Sequence, residues 1–131
     1  MTKTFKDLIV WQKAHQLILK VYEYTKDFPS EEKYGFIDDM RRAARSVSTN
    51  IVEGYKRKGY KDALNFFNRS DASLKELEYQ ILLSYDLNYL SLNRYKELEK
   101  IADEVGKILF GWQKNYSPDN KTKHQALRTK H

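Results

Sequence analysis

Apolar residues recur along this chain at steps of three and four, the spacing that places them on one face of an α-helix. Leu8, Trp11, Ala14, Ile18, Val21 and Tyr22 form the first such face, and Phe28-Pro29 closes it. Ser30-Glu31-Glu32 then supplies residues suited to a helix N-terminus. A second face follows Gly35, with Phe36, Ile37, Met40, Ala43, Ala44, Val47, Ile51 and Gly54. It should end near Lys58-Gly59, where glycine can take the left-handed conformation after a basic last turn. A third helix is predicted from about Lys61 to Tyr89, carrying Ala63, Leu64, Phe67, Leu74, Leu77, Ile81 and Tyr85. The fourth, capped by Ser91 or Asn93, presents Tyr95, Leu98, Ile101, Ala102, Val105, Ile108, Leu109 and Trp112. Four long helices with short connections pack most simply as an antiparallel, up-down four-helix bundle. Residues 1–116 form that domain in this reading, and 117–131, polar, basic and aperiodic, form a flexible tail.

Composition narrows the function classes. A chain of 131 residues fits one domain, and two prolines with five glycines suit long uninterrupted elements. The absence of cysteine removes disulfides, thiolate metal sites and cysteine nucleophiles. No apolar run reaches the roughly 18 residues of a membrane span, and the N-terminus has no signal-peptide pattern, so a cytoplasmic protein is expected. The histidines, His15, His124 and His131, are not paired with glutamate at the spacing of a bundle metal site. His15 reads as a boundary residue of the first helix. The five glycines form no phosphate-binding loop, and the arginine–histidine spacing of helical RNases is missing. No enzyme, metal or cofactor is expected.

Charge is concentrated rather than spread. The net +6 resides in residues 40–61, where seven Lys and Arg face Glu53 alone, and in the tail; the remainder is slightly acidic. At about 100° per residue, Arg41, Arg45 and Lys56 share one stripe of the second helix. Arg42, Ser46, Asn50, Glu53 and Arg57 share another, and Lys58 and Lys61 follow at its end. Such a stripe can track a phosphate backbone, with Tyr55 and Tyr60 placed to stack on unpaired bases. A salt network within or between subunits fits the same spacing. Small, polar Ser46 and Asn50 at the edge of the core suggest a close helix approach.

The runs FKDLIVWQKAHQL, FPSEEKYGFIDDMRRAARSVSTNIVEGYKR and NFFNRSDASLKELEYQI resemble a four-helix-bundle family whose genes were first noticed inside intervening sequences of large-subunit ribosomal RNA. Its older name, ribosomal protein, derives from that gene location. The resemblance covers about residues 5–112 and implies an up-down bundle, often a pentameric ring, without established enzymatic activity. The family pattern falls on Trp11, Pro29, Gly35, Met40, Arg41, Arg42, Ala43, Ser46, Asn50, Ile51, Glu53 and Gly54, then Phe67, Ser73 and Leu74. Asp39 stands where the family usually has glutamine. The family is also similar to the accessory variability protein of diversity-generating retroelements, a basic pentamer that binds nucleic acid and a reverse transcriptase. Residues 105–114 look like the end of that protein's last helix. The expectation is a homopentamer binding RNA or DNA through Arg41, Arg45, Lys56, Arg57, Lys58 and Lys61. Trp11, Arg42, Ser46, Asn50, Glu53 and Gly54 would serve as motif or interface residues. A scaffold whose basic face meets an acidic partner or a neighbouring subunit is the alternative.

Overall fold

A computed structural model describes residues 4–115 as an all-α four-helix bundle with no strand among the described residues. The helices are α1 (Ile9–Thr25), α2 (Phe36–Lys56), α3 (Tyr60–Asp86) and α4 (Leu92–Asn115), with short 3₁₀ turns at Phe5–Asp7 and Ser30–Glu32. The tail expected over 117–131 lies outside the described residues. No described helix is long and apolar enough to cross a membrane.

Local chemistry accounts for the ends of the elements. Thr4 and Asp7 form a reciprocal capping box around the first 3₁₀ turn. Ser30-Glu31-Glu32 makes a 3₁₀ turn of its own instead of opening α2, which starts at Phe36 with Asp38 and Asp39 in its positive first turn. The left-handed conformation expected at Gly59 is not taken: its φ is −92°, and it precedes α3 as an extended residue. Left-handed backbone occurs at Asn88 instead, with φ 63°. There Tyr89 N–H donates to the Ser84 carbonyl and Asn88 N–H to the Tyr85 carbonyl, closing α3 in a Schellman turn three residues before the predicted end. The Ser91 hydroxyl accepts from Arg94 N–H at 3.2 Å and caps α4, as the sequence suggests.

The core is continuous, with Met40, Ile51, Leu74, Leu77, Leu98 and Leu109 all buried. Burial of each such side chain is worth about 1.5–3 kcal/mol. Each helix packs on its neighbours in sequence, and α1 closes the circle against α4. Register descends along α3 as it rises along α2. Met40 meets Ser84, Ser46 Oγ lies 2.7 Å from Ser73 Oγ, and Ser70 Oγ donates to the Val47 carbonyl at 2.7 Å. Gly54 ends the series against the Phe67 ring. Lys13 with Glu104, and Tyr24 with Glu97, join α1 to α4. Arg41 joins α1 to α2: Nε donates to Thr25 Oγ1 at 2.9 Å, a terminal nitrogen donates to the Tyr22 carbonyl at 3.3 Å, and the guanidinium lies 4.6 Å from the Tyr22 ring centroid.

A Cβ added at Gly54 would lie 2.5 Å from Phe67 Cε1. Gly54→Ala should therefore destabilise the fold by about 1–3 kcal/mol in denaturant titration, against its intrinsic helix preference. Phe67→Leu in that background should recover part of the loss. Arg41→Ala should cost about 1–2 kcal/mol because it strips a helix C-terminus of its donor. Arg42→Ala, on the exposed side, should stay within about 0.5 kcal/mol.

Candidate nucleic-acid interface

The rotation imposed on α2 by its core face sends its basic residues in different directions. Arg41 and Arg45 turn toward α1. Arg41 is half-buried and engaged as described, so it acts as a structural donor more than as a free cation. Arg45 remains exposed, and its guanidinium donates to the Tyr22 hydroxyl at 2.5 Å. Ser48, on the same edge, is buried, and its hydroxyl has no hydrogen-bond partner among the described residues.

The opposite edge of α2 faces α3. Asn50 Nδ2 donates to the Ser46 carbonyl at 2.9 Å and to Ser46 Oγ at 3.1 Å, which extends the hydroxyl pair with Ser73. The close approach suggested by these small polar residues is present, with Gly54 at its tightest point. Arg42 bonds Asp39 at 2.9 Å and is exposed, so the residue that departs from the family pattern serves as its partner here. Glu53 bonds Arg57 at 3.2 Å, and Asp62 lies 3.8 Å from the same guanidinium. The Arg57 guanidinium sits 4.4 Å from the Phe66 ring centroid, and that of Arg69 sits 4.8 Å from it. Arg57 is thus held by two carboxylates and an aromatic face.

Lys56, Lys58 and Lys61 cluster around the turn between α2 and α3. All three are exposed, and none is ion-paired among the described residues. Gln113 Nε2 donates to Asn68 Oδ1 at 2.7 Å, which brings the last turns of α4 to this end of the bundle. The C-terminal segment, with four Lys and Arg against Asp119 over 117–131, continues the chain from there. At the opposite end the carboxylates Asp27, Glu31, Glu32, Asp38, Asp39 and Asp86 are interleaved with Lys26, Lys33, Arg42 and Arg94, and Arg94 and Arg42 are paired with Asp27 and Asp39. Toward that end a hydrogen bond from Tyr89 to Glu32 raises the tyrosine pKa, and burial followed by the bond to Glu97 raises that of Tyr24.

Aromatic placement corrects one expectation and adds a feature that the sequence reading missed. Tyr60 is buried at 3% exposure, so it is not positioned to stack on a base. Trp11, read from its spacing as a core residue, is only half-buried. Its ring is stacked on His15 at 4.8 Å and 11°, with Phe5 edge-on at 5.1 Å. The i,i+4 spacing of two flat rings was the available signal. Among the described residues no group of three or more His, Asp and Glu could hold a metal ion. A groove between α3 and α4, lined by Lys75, Glu78, Leu82, Tyr95, Glu99 and Asp103, mixes both signs of charge.

No curated protein matches the chain. Among solved structures it is similar to a protein of unknown function from the S23 ribosomal protein family of Bacteroides thetaiotaomicron VPI-5482. That similarity has a TM-score of 0.74 at 19% identity, covering 82% of this chain and 100% of that one, and it speaks to the fold alone. The family model described as 23S rRNA-intervening sequence protein matches residues 6–111, which contain the α2 motif, its seam with α3 and the basic turn. The chain belongs to the 23S rRNA-intervening sequence protein family.

Proposed function

We propose that this protein is a non-enzymatic, cytoplasmic homo-oligomer that binds nucleic acid, RNA or DNA, through the basic end of its bundle. The observation that carries the reading is the trio Lys56, Lys58 and Lys61, exposed at one turn without ion-pair partners among the described residues. Neighbouring Arg57 has its charge met by Glu53 and Asp62, so the lysines dominate the local field. Flexible exposed ammonium groups suit phosphate neutralisation with little sequence preference.

Assembly has its own support. Tyr79, Leu82, Leu87 and Leu92 are between 42% and 63% exposed along the outer side of α3 and the start of α4. Leu19 and Phe110, 57% and 64% exposed, lie on α1 and α4. Exposed apolar side chains at several places on the bundle suit contacts between copies of the chain, and the family resemblance suggests a ring of five subunits. A scaffold for an acidic partner uses the same lysines and would show itself as protein binding without nucleic-acid binding. A role beside a reverse transcriptase is the narrower form of the reading; its support is the resemblance, and a neighbouring reverse-transcriptase gene would strengthen it.

Changing Lys56, Lys58 and Lys61 together to Ala should weaken binding to RNA and DNA and flatten the salt dependence by up to about three phosphate contacts per subunit. An unchanged slope with intact helicity would reject the basic end as the interface. Light scattering on the native chain should give a multiple of the 15.6 kDa monomer mass; a monomer at micromolar concentration would reject the assembly.

A further inference from the structure

We propose that the crease between α1 and α2 is a track for single-stranded nucleic acid, with bases stacked against the Trp11–His15 ring pair and phosphates held by Arg45 and Lys56. The proposal deepens the nucleic-acid reading above and rests on it. Two rows of side chains define the crease. On α1, Trp11, His15, Ile18 and Tyr22 follow one another at steps of four, three and four, which keeps them within one stripe. On α2, Arg41, Arg45, Ser48, Val52, Tyr55 and Lys56 form a stripe by the same rule. The rows meet where Arg45 donates to the Tyr22 hydroxyl and Arg41 lies over the Tyr22 ring. From there each row runs eleven residues, roughly 16 Å of helix rise, so Tyr55 and Lys56 end level with Trp11.

The chemistry of the crease differs from that of the lysine turn. Cations lie at the two ends of the α2 row, flat rings line most of the α1 row, Ile18, Val52 and buried Ser48 fill the middle, and neither row contains a carboxylate. Arg45 bonds only a neutral phenol there, and Lys56 has no ion pair among the described residues, so both charges remain available to a phosphate. His15 lies parallel on Trp11 and is exposed to solvent, which leaves the pair open on its outer side. An unpaired base has a free face to add to such a stack, and stacking of this kind tolerates any base. A duplex hides its base faces and could use only the cations. The crease therefore selects single strands, while the lysine turn attracts any polyanion.

The test uses the full chain with a short oligouridylate, a short oligothymidylate and a blunt duplex of equal phosphate number, read by tryptophan fluorescence. Trp112 is 4% exposed and packed on Phe67, so a change in emission reports Trp11. Both single strands should quench the emission at saturation, and the duplex should bind without doing so; the two oligomers distinguish RNA from DNA. His15→Ala, at an exposed site, should weaken single-strand binding about tenfold and leave duplex binding unchanged, and His15→Tyr should restore it. Single-strand binding that neither quenches Trp11 nor responds to His15→Ala would overturn the track while leaving the wider reading intact. Equal quenching by the duplex would overturn its selectivity. Failure of the native chain to bind any of the three would overturn the wider reading and the track together.

Discussion

The close approach of α2 to α3 sets the geometry on which the rest of the bundle depends. At Gly54 there is no side chain, and the Phe67 ring occupies the space that a Cβ would need. Further along the same seam, Ser70 satisfies itself on the Val47 carbonyl and Ser46 on Ser73, so small polar residues permit contact without leaving those hydroxyls orphaned. A seam this tight fixes the rotation of α2 about its axis. Once that rotation is fixed, Ile51 and Met40 must face the core, Arg41 and Arg45 must face α1, and Glu53 and Arg57 must border α3. The buried face of α2 and its close approach to Phe67 at Gly54 together place the candidate binding residues of that helix.

Residues of one charge consequently play different parts. Arg41 closes the end of α1, a task that needs its planar fork of donors and that a lysine would perform poorly. Arg42 and Arg57 are met by Asp39 and Glu53 one turn away. Exposed pairs of that kind contribute little to stability, typically about 0–1 kcal/mol, but they remove net charge locally. The lysines of the α2–α3 turn escape this neutralisation. At the far end carboxylates and cations are interleaved, Arg94 with Asp27 and Arg42 with Asp39, and several carboxylates toward it accept hydrogen bonds from tyrosine hydroxyls. Cationic charge without an ion-pair partner among the described residues is thus gathered at the α2–α3 turn. That end of the bundle also receives the last turns of α4, where Gln113 bonds Asn68.

The sequence by itself determined the number of helices, their inward faces and most of their limits, because burial of apolar residues at a 3.6 period admits one solution per segment. It also indicated a close contact at Ser46, Asn50 and Gly54, since small and polar residues at the edge of an apolar face have few other uses. Cap geometry was less legible. Helix α2 ends on an extended Arg57 and Gly59 leads straight into α3, whereas α3 closes through a left-handed Asn88 whose neighbours cap its last carbonyls. The basic stripe was visible as a stripe, but its division was not. Whether Arg41 is a free cation or a helix cap depends on where α1 ends, and Tyr60 is lost to stacking because neighbouring helices bury it. Spacing along one helix reports which residues share a face; only the packed bundle decides what lies opposite that face, and therefore which charges and rings remain open to a partner.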